Sequence, residues 1–324
     1  MNASVLRARI QDNPAPLIAT GILCALYVVG VIAIGGFGGW STVQAVLLVA
    51  TFLGIASAGQ TLVVILGGID LSIPFVIGAA NVFVAKLYGD GVDFSVAVLS
   101  GLALAAVFGC LNAVIAVKTN VHPLLVTLGS GTALLGLIQW WTGGMPTGGA
   151  PDAVKKFVAI NSSTGFIPLP PVVFLWLAVV VFMVILTRMT TAGRRLFALG
   201  TSPKAAELAL VRRLPVWMGA FGLSAVFAAA TGILLIGFTG TAFAGVGQKY
   251  MFLTIGAVVI GGTLITGGRG GYFGTVLGSL TLTLLTIVLV GFKANDAVQQ
   301  IIMGLVIIAM VAIYGRDQHV RNRI

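Results

Sequence analysis

The chain is a succession of long apolar runs separated by short polar breaks, and the spacing of those breaks predicts its architecture. A helix that crosses a bilayer needs about twenty predominantly apolar residues. Ten such stretches can be cut from the sequence, at 17–34, 43–66, 72–88, 94–117, 123–141, 169–187, 215–237, 251–267, 273–291 and 297–314. The expected fold is an all-α polytopic membrane protein of about ten transmembrane helices, forming a single transmembrane domain over residues 1–324. The polar segment before the first run carries Arg7 and Arg9. That run is too long for the apolar region of a signal peptide and lacks a clear small-residue cleavage site, so it is read as the first span.

One break differs from the rest. Arg188 to Arg213, RMTTAGRRLFALGTSPKAAELALVRR, holds six of the eighteen Lys and Arg residues, and the runs on either side, Phe166–Thr187 and Leu214–Gln248, hold no charge. A basic loop between two spans belongs in the cytoplasm. Ten spans threaded from a cytoplasmic N-terminus put Arg7, Arg9, Lys118, Arg188, Arg194, Arg195, Lys204, Arg212, Arg213, Arg269, Arg316, Arg321 and Arg323 inside, against Lys86, Lys155, Lys156, Lys249 and Lys293 outside. Thirteen against five, with every arginine inside, predicts that both termini are cytoplasmic. Within the basic loop Ser202 suits an N-cap and Pro203 the first helical position, so a short helix is expected through Lys204–Val211, with Gly200 breaking the chain before it. The longest outside segment, 142–168, follows Trp140-Trp141, whose rings suit the membrane interface. It is expected to include a short interfacial helix and to serve as a connector or as a landing surface for a solute-binding protein.

Composition fits this picture. The chain is 58% hydrophobic and 8% charged, with a mean hydropathy of +1.10; a soluble domain is roughly a quarter charged. Its 44 glycines are packing material, because small residues let helices approach closely where lipid supplies no hydrophobic drive. The net charge of +10 is distributed as topology requires, so no nucleic-acid partner is expected and the contact surface is lipid. Cys24 and Cys110 lie within apolar runs and read as small buried hydrophobes. His122 and His319 are isolated, and no metal site is expected.

Between Asp12 and Lys86 the only charged residue is Asp70, in Leu66-Gly-Gly-Ile-Asp-Leu-Ser-Ile-Pro74. A lone carboxylate at membrane depth is costly. Either Asp70 or Ser72 caps the helix that follows the Gly67-Gly68 turn, or Asp70 handles substrate or a proton. A second glycine-rich turn, Thr266-Gly-Gly-Arg-Gly-Gly271, lies between the eighth and ninth spans, and both turns fall on the cytoplasmic side. Irregular backbone at this depth is tolerated only where protein or a water-filled cavity surrounds it, so Gly67, Gly68, Gly267 and Gly268 are candidates for an inner gate. Uncharged polar residues in the spans are few: Gln44, Gln60, Thr61, Asn81, Asn112, Thr127, Gln139, Gln299 and Gln300. Each either bonds helix to helix or lines a path for a polyol, with Gln60 and Asn81, on the spans flanking Asp70, as leading candidates for the path.

Three stretches resemble a known family. The run Gly193-Arg-Arg-Leu-Phe-Ala-Leu-Gly200 followed by Ala205-Ala-Glu207 is similar to the cytoplasmic coupling loop of ribose-type sugar ABC-transporter permeases. The Gly-Gly-Ile-Asp-Leu-Ser72 run resembles a motif of the same permeases, and Thr254–Thr275 is the third match. Gly200-Thr-Ser-Pro-Lys204 departs from the Gly-Gly-Asn-like turn usual in that family, and Pro74 from the small residue expected there. The resemblance implies a type II-importer-like permease of the bacterial cytoplasmic (inner) membrane that translocates a monosaccharide, pentose or hexose. It implies a second permease subunit, the same or different, and a periplasmic sugar-binding protein. It also implies an ABC ATPase docked on the 188–213 loop through Gly193, Arg194, Gly200, Ser202, Pro203, Ala205, Ala206 and Glu207.

No Gly-Lys pair occurs in the sequence, so there is no Walker A phosphate loop. No cofactor is therefore expected on this chain, ATP and Mg belong to the partner ATPase, and the chain reads as a transport subunit rather than an enzyme. The alternative reading is an ion-coupled secondary transporter of a small polar solute in which Asp70 binds the driving ion.

Overall fold

The computed structural model describes residues 15–321, with side chains described for 16–309. The expectations that rest on Arg7, Arg9 and Arg323, and on the side chains of Arg316, His319 and Arg321, lie outside the described residues. In chain order the helices are α1 (Ala15–Ala33), α2 (Trp40–Ile65), α3 (Ile73–Gly89), α4 (Phe94–Thr119), α5 (Pro123–Trp141), α6 (Asp152–Phe157), α7 (Pro171–Met189), α8 (Thr191–Thr201), α9 (Pro203–Leu208), α10 (Arg213–Thr239), α11 (Tyr250–Ile260), α12 (Tyr272–Gly291) and α13 (Asp296–Arg321). A single 3-10 turn, Ala244–Gly247, precedes α11.

Seven helices, α1, α2, α4, α5, α7, α10 and α12, are long and apolar enough to cross a membrane among the described residues. Of the other three predicted spans, α3 and α11 with its preceding turn are helical but shorter, and α13 is helical and apolar over its described part, Asp296–Ala309. Helix starts follow local chemistry. Asp93 accepts from the N–H groups of Ser95 and Val96 at the head of α4, and His122 Nδ1 accepts from Leu124 N–H at the head of α5, where Pro123 opens the helix. The interfacial helix expected in 142–168 is α6.

Several boundaries differ from expectation. The eighth segment was expected to run to 267, yet α11 stops at Ile260. There Gly261 lies so close to the Gly274 backbone that a side chain could not fit, and Gly262 turns left-handed at φ +82°. Residues 191–201 form α8, where the polar sequence predicts only a loop before Ser202. Gly200 therefore lies inside a helix and does not break one.

The core is built around α10, which packs along α4, α2 and α3. Every residue from Ala50 to Ile65 of α2 is buried, so this helix has no lipid face along that length. By contrast α4, α5 and α7 expose Leu99, Leu104, Leu125 and Leu177 outward, as lipid contact requires.

The bundle has two distinct ends. At one, the 142–168 segment folds back over the helix tips: Trp40 Nε1 and Gln44 Nε2 donate to the Pro168 carbonyl at 3.3 and 2.7 Å, and Gly148 abuts the Ala85 carbonyl. Two ion pairs, Lys86–Asp90 and Lys155–Asp152, lie at this end. The Lys155 ammonium beside Asp152 holds that carboxyl below the usual carboxylate range. At the other end α8 meets the breaks after α2 and α11, and α9 packs on α8.

Candidate functional site

The break between α2 and α3 places Asp70 inside the bundle, 3% exposed. Its Oδ1 accepts from the backbone N–H of Ser72 at 2.9 Å and from the Ser72 hydroxyl at 2.6 Å, and its Oδ2 accepts from the Ser224 hydroxyl of α10 at 2.7 Å. Asn112 of α4 donates to Ser72 Oγ at 3.4 Å, and the Leu71 N–H donates to Thr127 Oγ1 of α5 at 2.9 Å. The carboxylate thus ties the start of α3 to α10, and the surrounding break is held by α4 and α5. Asp70 closes the entry to α3 through the Ser72 N–H, while Ser72 itself makes no side-chain cap. Sequence reasoning missed Ser224; the one signal for it was a hydroxyl in the apolar run of α10.

The two glycine-rich breaks close their helices in the same way. After α2, Gly67 is left-handed at φ +81° and the Gly68 N–H returns to the Val63 carbonyl at 3.0 Å. After α11, Gly262 is left-handed at φ +82° and the Thr263 N–H returns to the Val258 carbonyl at 3.1 Å. This six-to-one closure satisfies an end-of-helix carbonyl and favours glycine, which pays no penalty for the left-handed turn. Gly267 and Gly268 lie beyond it, in the loop leading to α12.

That loop meets both α8 and the first break. The Gly268 N–H donates to the Ile65 carbonyl at 2.9 Å. A Cβ added at Gly200 would strike the Ile65 carbonyl oxygen and lie 2.8 Å from the Gly268 nitrogen. One added at Gly267 would come within 2.8 Å of the Gly67 nitrogen and 3.0 Å of the Gly200 carbonyl oxygen. The end of α8 and the two breaks therefore form one junction in which backbone lies on backbone at Gly200 and Gly267, and the Thr201 hydroxyl donates to the Gly268 carbonyl at 3.5 Å.

The 188–213 loop is folded against this junction. Thr190 caps α8 by accepting from the Gly193 N–H at 3.1 Å, and Ser202 caps α9 by accepting from the Ala205 N–H at 3.3 Å, as the sequence predicted. The residues expected to reach a partner divide by exposure. Arg194, Pro203, Ala205 and Glu207 are exposed, Gly200 and Ser202 are half-buried, and Gly193 and Ala206 are buried. The helix α9 ends at Leu208, short of the expected Val211, because Leu210 turns left-handed at φ +61° and the Val211 N–H returns to the Ala206 carbonyl. This turn leaves Leu208 and Leu210 87% and 89% exposed at the tip of the loop.

The polar residues of the spans also divide. Asn81 is fully buried and satisfied: its Nδ2 donates to the Gly232 carbonyl at 3.0 Å and its Oδ1 accepts from the Phe243 N–H at 2.9 Å. Thr61 pairs with Thr275 of α12 at 2.8 Å. Gln139 and Gln300 are exposed, and Gln299 donates to the Ala294 carbonyl. Gln60 is fully buried with neither end of its amide hydrogen-bonded. Among the described residues no cluster of His, Cys, Asp and Glu has the arrangement of a metal site.

Over residues 42–311 the sequence matches the family described as "Branched-chain amino acid transport system / permease component". The chain belongs to this permease family. The permease is 33% identical over 290 residues to the probable ABC transporter permease protein YphD of Escherichia coli strain K12, covering 90% of this chain and 86% of that one. It is 32% identical over 273 residues to the autoinducer 2 import system permease protein LsrD of E. coli strain K12 and of Shigella flexneri, covering 81% of this chain and 82% of theirs. No solved structure matches. The permease is a transport subunit of the membrane, and its relatives are ABC permeases rather than ion-coupled carriers. The alternative in which Asp70 binds a driving ion is thereby set aside.

Proposed function

We propose that the permease is the membrane-spanning subunit of an ATP-driven importer and moves a neutral, hydroxylated solute of the monosaccharide class. The observation that carries this reading is the junction of Gly67, Gly200, Gly267 and Gly268, which joins the basic loop directly to the two breaks. In this reading ten helical segments cross the bilayer, both termini are cytoplasmic, and the junction lies at the cytoplasmic end. An ABC ATPase holding ATP and Mg docks on the loop, with Leu208 and Leu210 as apolar anchors and Arg194, Pro203, Ala205 and Glu207 around them. Gly193, Gly200, Ser202 and Ala206 shape the loop from within. When the ATPase pair closes on ATP, α8 moves, and because Gly200 in its last turn has no side chain between it and either break, the displacement reaches both breaks at once. Gly67, Gly68, Gly267 and Gly268 then act as the inner gate, Asp70 and Ser72 anchor it to α10, and Gln60 and Asn81 stand on the path and at its outer turn. A second permease subunit, identical or different, completes the pathway.

The solute class is supported by charge. A zwitterionic amino acid carries an ammonium and a carboxylate, and each would need a partner inside the protein. The one fully buried charged side chain among the described residues, Asp70, is already occupied by hydroxyl and amide donors, whereas the remaining buried polar groups are uncharged amides and hydroxyls. That lining suits a polyol. On the outer side the exposed Met145 and Phe166 of the 142–168 segment offer an apolar landing surface to a binding protein.

Retention of a candidate ATPase subunit on the tagged permease in detergent tests the docking. The wild type is expected to retain it and a Leu208→Asp, Leu210→Asp variant to lose it; no retention with any ATPase encoded alongside the permease would overturn the reading.

A further inference from the structure

All the buried side-chain nitrogen and oxygen atoms that lack a hydrogen-bond partner among the described residues belong to just three residues: Ser57 Oγ, both amide atoms of Gln60, and Ser279 Oγ. Their positions are related. Thr61 and Thr275 form the hydrogen bond that joins α2 to α12, and Ser57 precedes Thr61 by one helical turn while Ser279 follows Thr275 by one turn. Gln60 is one turn from Ser57 on the same helix, where residues three apart are neighbours. Ser57, Gln60 and Ser279 are each completely buried, with no exposed surface at Ser57, Gln60 or Ser279.

An orphaned buried polar group costs about 1–3 kcal/mol, and side-chain polar atoms in packed interiors are nearly always partnered. Serine and threonine hydroxyls in membrane helices usually escape that cost by donating to the carbonyl one turn back, as Thr51, Thr61, Thr231 and Thr281 do here. Ser57 and Ser279 do not. Four unsatisfied atoms on two neighbouring helices, with no others among the described residues, are the signature of a lining whose hydrogen-bonding partner comes from outside the protein.

We infer that the Ser57, Gln60 and Ser279 face of the α2–α12 contact opens during transport and takes hydroxyl groups, from water or from the passing solute. The groups present two hydroxyls and a carboxamide, which together donate and accept, and they carry no charge, so they match an uncharged polyol and not a cation. The face is shut in the conformation described, and it is opened by the movement of α2 and α12, whose cytoplasmic ends both lead into the glycine junction. The inference rests on the proposed transport role and identifies Ser57 and Ser279 as further path residues beside Gln60.

Cysteine accessibility tests it in the full permease–ATPase complex, in a Cys24→Ala, Cys110→Ala background. Ser57→Cys, Ser279→Cys and, as a control, Ala58→Cys, which lies on the same helix and is equally buried, are treated with a membrane-impermeant methanethiosulfonate. Only a thiol that meets water forms the reactive thiolate. The expected result is modification at 57 and 279 at least about tenfold faster than at 58 when ATP is turning over. Modification at 57 and 279 that is indifferent to the ATPase sustains the inference and removes the ATP-driven reading. ATP-driven uptake with 57 and 279 as slow as 58 overturns the inference and leaves the transport role standing. A further measurement separates water from solute: protection of 57 and 279 by saturating monosaccharide assigns the face to the solute, and labelling unaffected by it assigns the face to water.

Discussion

The backbone N–H of Gly268 donates to the carbonyl oxygen of Ile65 at 2.9 Å, joining the break after α11 to the last turn of α2. Gly200 of α8 packs directly on that bond, since a Cβ there would lie 2.8 Å from the Gly268 nitrogen and would collide with the Ile65 oxygen. A Gly200→Val substitution forces these backbones apart. The expected outcome is a complex that still assembles with the ATPase, because Leu208 and Leu210 are untouched, and still hydrolyses ATP, but imports solute at least about tenfold more slowly. Paired ATPase and uptake assays on one preparation check this; parallel loss of both activities would point to misfolding instead of uncoupling.

Asp70 is held by three donors, and its role as a clasp predicts a graded response. Asp70→Leu leaves the Ser224 hydroxyl and the Ser72 N–H without their acceptor and should cost about 3 kcal/mol, read as a lower unfolding midpoint in detergent. Asp70→Asn retains an acceptor oxygen and the shape, so uptake should fall only a few-fold and stay driven by ATP. Complete loss of uptake in the asparagine variant with stability intact would show that the charge itself is used.

Leu210 adopts φ +61°, a conformation that costs a non-glycine residue about 1–2 kcal/mol. Leu210→Gly removes that strain and also removes an exposed apolar side chain. The permease alone is therefore expected to be as stable or slightly more so, while its affinity for the ATPase falls. Thermal unfolding and a titration of the ATPase subunit separate the two effects; unchanged affinity would remove Leu210 from the docking surface.

Asn81 bridges the Gly232 carbonyl of α10 and the Phe243 N–H before the 3-10 turn. Asn81→Leu frees both groups in a buried setting and should destabilise by about 2 kcal/mol. Asn81→Asp keeps an acceptor for Phe243 but loses the donor to Gly232 and brings an unpaired charge, so it should be worse. Unfolding midpoints of the two variants, compared with wild type, decide the order.

Much of this arrangement was legible in the sequence because hydrophobic run length is so directly tied to bilayer thickness. All ten apolar segments are helical, Ser202 caps α9 with Pro203 in its first turn, and the loop at 142–168 holds its short helix. The missed features depend on contacts distant in sequence. α8 was hidden because its polar and basic residues read as loop, although one face, Gly193, Leu196 and Leu199, is buried. The purpose of Gly200 was misjudged for the same reason: a glycine that ends a helix and a glycine that lets two backbones touch look alike in one dimension. Ser224, Ser57 and Ser279 gave almost no signal, since a serine in an apolar run ordinarily bonds within its own helix. Charge located the loop and Asp70, resemblance to the permease family gave them an expected role, and the structure supplied the junction beside them.

The most direct test of the account is uptake by proteoliposomes that hold the permease with its ATPase and binding protein. Monosaccharides should accumulate when ATP is supplied on the ATPase side, should not accumulate under a proton or sodium gradient without ATP, and should be carried in preference to branched-chain amino acids. Uptake driven by an ion gradient in the absence of the ATPase, or ATP-driven uptake of a zwitterionic amino acid with no transport of any monosaccharide, would contradict it.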